Sequence, residues 1–402
     1  MARTEAYIVE AVRTPIGKYG GALREVRPDD LSASVMKEAV RKSGIDPALI
    51  DDILWGCANQ AGEDNRNVAR IAALLAGMPD SVPATTLNRL CGSGMDAVHF
   101  AARGIWAGDY RAVLAGGVES MSRAPYSVPK NQNGAYGNMT AFDTALGWRY
   151  PNPALQQRIP LESMGETAEN VAEKYSVSRK SQDAFACESH RRAVGARERF
   201  RREILPVEIP RKKGAPAVVD TDEGPREDTS EERLAALPPV FRKGGSVTAG
   251  NSSSLNDGAA ALLIVGEEVL GSMKFQPLAR IVATGTAGVD PRFMGMGPVP
   301  ASAMALKKAG LTIGDIDLVE LNEAFAAQAL AVIAQLKADP SAVNVNGGAI
   351  ALGHPLGCSG ARILTTLVRE MGRRTSRYGL ATMCIGVGQG IATVIENVHR
   401  QK

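Results

Sequence analysis

The sequence has few histidines and cysteines, little net charge and no long apolar run. Its four histidines limit the candidates for a catalytic base. Its five cysteines include no Cys-x-x-Cys pair, which argues against a disulfide framework and against a zinc site. A formal net charge of +3 on 402 residues gives no reason to expect a nucleic-acid partner. Because no stretch of about 18 apolar residues occurs, we expect no membrane span.

The composition is otherwise that of an ordinary globular protein. Hydrophobic residues make up 45% of the chain and charged residues 22%, and the length leaves room for two or three domains. Residues 1–9 lack the layout of a secretion signal, in which a charged segment precedes an apolar one. We therefore expect a cytoplasmic enzyme.

The chain resembles itself at an offset of 266 positions, the difference between residues 50 and 316. Residues 50–53 align with 316–319, and without a gap residues 93–95 align with 359–361. Two copies of one unit predict two similar domains that pack together.

The two copies differ in the residues that can carry chemistry. Cys91 precedes the Ser-Gly pair of the first copy, and Gly357 takes its place in the second. The second copy instead offers Asn322, His354 and Cys384. We therefore predict an active site where the halves meet, with a nucleophile on one half facing acid–base groups on the other.

Strand-like segments alternate with helical patterns in both copies, which predicts a layered α/β architecture. Residues 122–248 are rich in Pro, Gly, Arg and Glu, and we interpret them as an inserted loop domain and a candidate substrate cover. A surface insertion without a role is the alternative. The predicted divisions are an N-terminal half over 1–121, completed by 249–274, the insertion, and a C-terminal half over 275–402.

Cys91 and His354 lie in the two most suggestive local contexts. Residues 88–94, Asn-Arg-Leu-Cys-Gly-Ser-Gly, predict a thiol at a helix N-terminus, where amide groups and the helix dipole favour a thiolate. A small buried hydrophobic cysteine is the alternative. His354 stands between a glycine and a proline, which suits a base presented to a ligand, although a structural histidine is also compatible with the pattern.

Cys384 ends an apolar strand and enters a glycine-rich turn over 384–390, whose N–H groups can point at an oxyanion. The turn lacks the order of strand, Gly-x-Gly-x-x-Gly and helix that marks a dinucleotide site. Asn322 follows a strand-like segment, where it can position a water or orient a histidine, or cap a helix.

Together these segments resemble the thiolase family. The similar motifs surround Cys91 and lie at 116–122 (Gly-Gly-Val-Glu-Ser-Met-Ser), 322–326 (Asn-Glu-Ala-Phe-Ala), 347–355 (Gly-Gly-Ala-Ile-Ala-Leu-Gly-His-Pro) and 384–390 (Cys-Ile-Gly-Val-Gly-Gln-Gly). They occur in the family's order across nearly the whole chain. The resemblance implies an α/β thiolase fold, with two repeated halves in a five-layered αβαβα arrangement and an inserted loop domain that binds coenzyme A.

The resemblance also implies a reversible ping-pong acyl transfer between coenzyme A and acetyl-CoA. Cys91 would take the acyl group as a thioester, and His354 would deprotonate Cys91 and later the sulfur of coenzyme A. Cys384 would move the proton at the α-carbon of the acetyl unit. Asn322, through a water, and His354 would bind one thioester oxygen. The backbone N–H groups of Cys91 and Gly386 would form a second oxyanion hole.

The family further implies where acyl-CoA and coenzyme A, the expected partners, would bind. Arg226 would lie beside the adenine, Ala249 and Ser253 would contact the pantetheine, and Met164 and Phe325 would line the thioester pocket. No metal or redox cofactor is implied. A homodimer or homotetramer is expected.

Substrate choice is the least defined property. Residues 142–149 look more like bacterial 3-oxoadipyl-CoA and broad-chain thiolases than acetoacetyl-CoA-dedicated ones, and Arg149 is a candidate partner for a distal carboxylate. Fatty acid metabolism with β-oxidation is the expected setting.

Three alternative functions remain. One is a decarboxylating 3-oxoacyl synthase, which would need a histidine in place of Cys384. The others are a thiolase-like acyl-CoA binding protein and a cysteine hydrolase.

Overall fold

Strands and helices alternate in both halves of the computed structural model, which describes residues 4–130, 137–272 and 276–399. The strands are β1 (Ala6–Arg13), β2 (Gly17–Lys18), β3 (Asp52–Gly56), β4 (Ala84–Leu87), β5 (Ala112–Ser120), β6 (Tyr126–Ser127), β7 (Phe142–Asp143), β8 (Val207–Ile209), β9 (Ala217–Val219), β10 (Asn256–Gly266), β11 (Ala279–Gly288), β12 (Leu318–Leu321), β13 (Tyr378–Ile385) and β14 (Gln389–Glu396).

The helices are α1 (Pro28–Ser43), α2 (Val68–Leu75), α3 (Ser93–Ala107), α4 (Pro153–Arg158), α5 (Met164–Lys174), α6 (Arg179–Gly195), α7 (Arg197–Phe200), α8 (Glu231–Ala235), α9 (Glu267–Ser272), α10 (Pro298–Ala309), α11 (Ala326–Leu336), α12 (Ala349–Leu352) and α13 (Leu356–Arg374). Short 3-10 helices cover Pro47–Leu49, Pro291–Met296 and Ile313–Asp315. None of the helices in the described ranges is long and apolar enough to cross a membrane.

The largest sheet joins the two halves. Its order is β12-β13-β14-β11-β1-β10-β5-β3-β4, with β2 beside β10. At its centre β1 pairs antiparallel with β11. On one side β10, β5 and β3 follow, with an antiparallel and then a parallel pairing. On the other side β14, β13 and β12 follow in the same pattern. The repeat in the sequence is therefore a repeat in strand order and direction.

The 266-residue offset relates strands of the two halves to each other, except for β4 at one edge of the sheet. With this offset the residues of β3 align with 318–322, and β12 spans Leu318–Leu321. The residues of β5 align with 378–386, and β13 spans Tyr378–Ile385. The residues of β4 map onto 350–353, which fall in and just after α12 rather than in a strand. The halves thus diverge just before the segments that contain Cys91 and His354.

Five layers arise because each half of the sheet buries both of its faces. Helices α1 and α2 cover the outer face of the first half, and α10 and α11 cover the outer face of the second. Helices α3 and α13 pack against each other between the two half-sheets. Met95, Val98, Ala102 and Ile105 of α3 recur at helical spacing, and all four are fully buried there. The predicted five-layered αβαβα arrangement is therefore observed.

Residues 122–248 form an irregular region with the small sheets β6-β7 and β8-β9 and helices α4 to α8. Helices α5 and α6 pack against α11 of the second half. The predicted division between residues 274 and 275 lies outside the described residues, and the domain limits remain a prediction.

Candidate active site

The first turns of α3 and α13 meet where the two halves come together. A β-carbon placed on Gly94 would lie 2.6 Å from the carbonyl oxygen of Gly357, so the two backbones approach closely and a glycine is required. Cys91 lies two residues before α3, and His354 lies two residues before α13. The contact between the helices therefore brings these two segments to the same place.

Cys91 lies in a tight turn between β4 and α3. Leu90 has a φ of 46°, in the left-handed region that a leucine rarely adopts. The Ser93 hydroxyl donates to the Leu90 carbonyl oxygen at 2.6 Å and accepts from the Arg89 N–H at 2.9 Å. These bonds hold the turn in its strained conformation, and Cys91 is left half-buried at its tip.

The turn after β13 lies against the Cys91 thiol. The backbone N–H groups of Gly386 and of Cys91 itself both point at the Cys91 sulfur and stabilise negative charge there. The Cys384 thiol is near enough that charge on Cys91 raises the pKa of Cys384. The structure thus brings Cys91 of the first half together with Cys384 and Gly386 of the second.

Both thiols are protonated in the resting site. Burial raises the pKa of Cys91 to about 11, and the N–H groups of Gly386 and Cys91 offset only part of this effect. Burial also raises the pKa of Cys384, by more. The backbone N–H groups lower the pKa of Cys91, as expected for a thiol at the start of a helix, but the opposing effect of burial is larger in the free protein. Cys91 must therefore pass its proton to a base when substrate arrives.

Ser359 holds the His354 ring by a short contact to Nδ1. This nitrogen lies 2.6 Å from Ser359 Oγ, and the Ser359 hydroxyl donates to the Pro355 carbonyl oxygen at 2.9 Å. When the one hydroxyl proton of Ser359 goes to Pro355, the oxygen accepts from Nδ1–H and Nε2 keeps its lone pair, as a base at Nε2 requires. Burial and the Arg362 guanidinium lower the pKa of His354 to about 3. The ring is neutral at pH 7 and can accept a proton at Nε2.

Asn256 fixes the backbone of His354. Its Oδ1 accepts from the His354 N–H at 2.9 Å, and its Nδ2 donates to the Gly17 carbonyl oxygen at 2.9 Å. Gly353 has a φ of 106°, and a β-carbon there would collide with the Asn256 side chain. Sequence reasoning missed Asn256, which lies 98 positions before His354 and in no motif that names it.

Asn322 lies against the same histidine. Its Nδ2 is 3.5 Å from both ring nitrogens, so the amide lies alongside the ring rather than in line with one lone pair. Its Oδ1 is buried and accepts no hydrogen bond from the described residues. This oxygen suits a water or a polar substrate group. The alternative of a helix cap is wrong, because α11 begins at Ala326 with Phe325 at the cap position.

Glu119 ties the loops of the two halves together. Its carboxylate accepts from the backbone N–H groups of Gly357 at 2.8 Å and of Ala58 and Asn59 at 3.0 Å. In the described part of the chain, one group of three potential metal ligands occurs, and Glu119 shares it with Cys57 and Asp64. Since the carboxylate oxygens are already engaged by three N–H donors, the arrangement is a structural tie.

Two residues predicted to line the thioester pocket border the reacting groups. Phe325 packs in a buried apolar cluster with Cys384. A β-carbon placed on Gly386 would lie 3.4 Å from the sulfur of Met164, at the start of α5. The inserted region therefore contributes one wall beside the turn that carries Gly386.

The residues predicted to contact coenzyme A lie further out. The Ser253 N–H donates to the Ala324 carbonyl oxygen at 3.0 Å, which places Ser253 next to the segment of Phe325. Ala249 and Arg226 are exposed, and the Arg226 N–H donates to His190 Nδ1 at 3.2 Å. No contact joins Arg226 to the catalytic candidates among the described residues.

We expect Ser359→Ala to lower kcat by about 10-fold while KM stays unchanged, because a buried Nδ1–H left without its acceptor costs about 1–3 kcal/mol and frees the wrong tautomer. Steady-state kinetics would measure this. Ser302→Ala is the matched control, since Ser302 is also buried in the second half but bonds Thr382 Oγ1 at 3.1 Å. An equal loss in both variants would contradict the positioning role.

Two family models match the chain, the thiolase N-terminal domain over residues 6–268 and the thiolase C-terminal domain over residues 275–397. The chain is 54% identical over 399 residues to the 3-oxoadipyl-CoA/3-oxo-5,6-dehydrosuberyl-CoA thiolase of Escherichia coli strain K12, with 98% of this chain and 100% of that protein covered. It is 52% identical to a beta-ketoadipyl-CoA thiolase of Acinetobacter baylyi, with 98% and 99% covered.

A solved structure agrees with these matches. Human mitochondrial 3-ketoacyl-CoA thiolase in complex with CoA superposes with a TM-score of 0.92 at 42% identity, covering 99% of this chain and 98% of that chain.

Proposed function

The chain belongs to the thiolase family, and from this premise we propose that it cleaves 3-oxoadipyl-CoA with coenzyme A to succinyl-CoA and acetyl-CoA. The general reaction is a reversible acyl transfer in which 3-oxoacyl-CoA and coenzyme A give acyl-CoA and acetyl-CoA. The relatives that are 50–54% identical are named for a dicarboxylic substrate, which supports 3-oxoadipyl-CoA over the fatty acid substrates of β-oxidation. One observation carries the mechanism: Cys91 of the first half faces Gly386 and Cys384 of the second.

The first half-reaction forms an acyl-enzyme. The Cys91 sulfur attacks the 3-keto carbon while His354 Nε2 takes the thiol proton. The N–H groups of Cys91 and Gly386 stabilise the oxyanion of the tetrahedral intermediate. The C2–C3 bond then breaks, its electron pair passes to the acetyl-CoA enolate, and the Cys384 thiol protonates C2. Asn322 and His354 hold the enolate oxygen.

The second half-reaction releases the shortened acyl group. The His354 imidazolium and the Cys384 thiolate first neutralise each other by proton transfer. Coenzyme A then gives its thiol proton to His354, and its sulfur attacks the thioester on Cys91. The Cys91 thiolate leaves and takes the proton back from His354. Every proton is accounted for, and no metal or redox cofactor is needed in this scheme.

Residues of the inserted region and of the two halves beside it bind coenzyme A in this proposal. Arg226 lies beside the adenine, Ala249 and Ser253 contact the pantetheine, and Met164 with Phe325 encloses the thioester. The structure of the human relative in complex with CoA supports a coenzyme A site in this fold. A homodimer or homotetramer and a cytoplasmic location complete the proposal. Light scattering after size-exclusion chromatography would measure the oligomeric state.

We expect kcat/KM for 3-oxoadipyl-CoA to exceed that for acetoacetyl-CoA by about 10-fold or more, because a pocket that binds a charged end group discriminates strongly against a substrate without one. The measurement is CoA-dependent loss of each 3-oxoacyl-CoA, with products identified by mass spectrometry. A preference for acetoacetyl-CoA would contradict the substrate. Release of free acid without coenzyme A would indicate a hydrolase, and release of CO2 a decarboxylating synthase.

A further inference from the structure

We propose that the guanidinium of Arg149 binds the distal carboxylate of the acyl chain and thereby selects 3-oxoacyl-CoA substrates that end in a carboxylate. This inference rests on the proposed function, and it assigns the recognition of the end group to one side chain.

Arg149 has no acidic partner in the described part of the chain. Its Nη1 donates to the Thr144 carbonyl oxygen at 2.9 Å, and its Nη2 lies 3.4 Å from Asn59 Oδ1. Neither acceptor is charged, and no described carboxylate oxygen lies within 4.0 Å of the guanidinium nitrogens. A guanidinium has five N–H donors in a planar fork, so donors remain that match a carboxylate. By contrast Arg123, in the same region, is paired with Glu63.

The contact with Asn59 places Arg149 at the edge of the sheet where Cys91 emerges. Asn59 follows β3, whose carboxyl end lies beside that of the parallel strand β4. Asn88, three residues before Cys91, donates from its Nδ2 to the Ala58 carbonyl oxygen at 2.9 Å. The loop that binds Arg149 and the loop that carries Cys91 are therefore directly bonded.

The segment that carries Arg149 also borders the thioester pocket from the inserted region. The indole N–H of Trp148 donates to the Glu162 carbonyl oxygen at 3.1 Å. Two residues further, Met164 lies against the position of Gly386. The residues proposed to contact coenzyme A, such as Arg226, bond to a different set of groups. These contacts connect Arg149 to the wall beside Gly386 and not to Arg226, which favours the acyl side of the site for Arg149.

The carboxylate of Glu119, which is bonded to the same loop, already accepts three backbone hydrogen bonds. Glu119 accepts from the N–H groups of Asn59, Ala58 and Gly357, and no ion pair joins it to Arg149. A substrate carboxylate would therefore meet a guanidinium that is half-buried and without an acidic partner. In 3-oxoadipyl-CoA only two methylene groups separate the attacked keto carbon from the carboxylate carbon. A carboxylate so close to the reacting centre loses solvent on binding and requires a cation in the pocket wall.

The test compares 3-oxoadipyl-CoA with 3-oxohexanoyl-CoA, which has the same number of acyl carbons but no carboxylate. We expect Arg149→Gln to lower kcat/KM for 3-oxoadipyl-CoA by about 10- to 100-fold, because the variant loses the charge-assisted hydrogen bonds to the substrate carboxylate. The value for 3-oxohexanoyl-CoA should stay unchanged, and Arg149→Lys should recover part of the loss. Arg158→Gln is the matched control, since Arg158 is an exposed arginine on the neighbouring helix α4.

The outcomes separate the inference from the proposed function. If Arg149→Gln lowers kcat/KM for both substrates by the same factor, Arg149 only supports its loop through Thr144, and the inference is overturned. If the wild-type enzyme prefers 3-oxoadipyl-CoA and Arg149→Gln keeps the same ratio of kcat/KM values for the two substrates, the inference is overturned and the proposed function stands. A wild-type enzyme that cleaves 3-oxohexanoyl-CoA but not 3-oxoadipyl-CoA overturns both.

Discussion

Cys91→Ala is expected to reduce CoA-dependent cleavage of 3-oxoacyl-CoA by about 10⁴-fold or more, because the variant cannot form the acyl thioester through which the reaction passes. Cys384 cannot replace the lost thiol. It is almost fully buried in an apolar cluster, and its pKa is raised further than that of Cys91. The residual rate and the absence of an acylated protein in intact mass spectra would together measure the effect.

The matched control for this variant is Cys187→Ala. Cys187 is also half-buried and reduced, but it lies in α6, where its thiol contacts the Thr229 carbonyl oxygen at 3.7 Å. We expect the control to keep the wild-type rate and to be acylated on Cys91. Acylation of the Cys91→Ala protein at another residue would show that the nucleophile is misassigned.

Cys384→Ala is expected to lower thiolytic cleavage by about 10³-fold, because general acid–base catalysis by one positioned group contributes about 10²–10⁴-fold. Acetyl transfer from acetyl-CoA to Cys91 should survive, since that step moves no proton at the α-carbon. Exchange of labelled coenzyme A into acetyl-CoA measures this transfer separately from cleavage. The split between the two rates is the signature of the proposed role.

Cys358→Ala provides the comparison, because Cys358 is an equally buried cysteine of the second half that packs in the central core. We expect this variant to be less stable, and we expect its exchange rate and its cleavage rate to change by the same factor. If Cys384→Ala loses exchange and cleavage in parallel, the residue supports the turn that carries Gly386 and does not move the α-proton.

Much of the architecture follows from the sequence because it depends on patterns along the chain. Apolar spacing defines the buried face of α3, including Met95 and Ile105. The internal repeat predicts that β3 and β12, and β5 and β13, occupy equivalent places, and the strand order has this symmetry. The prediction of a site between the halves agrees with the meeting of Cys91, Cys384 and Gly386. Each of these inferences used a local pattern or the comparison of the two copies at one offset.

What the tertiary structure alone decided is the state and surroundings of the reacting groups. The sequence indicated that helix-terminal N–H groups would lower the pKa of Cys91, and the packing of the two halves adds an opposing effect, because burial raises that pKa. It gave no reason to link Asn256 with His354, or to expect Arg149 beside Asn59 without an acidic partner. Local patterns determine helices and strands because neighbouring residues share one backbone geometry. Protonation and hydrogen-bond partners depend on burial and on groups distant in the chain, and only the folded arrangement of the two halves supplies them.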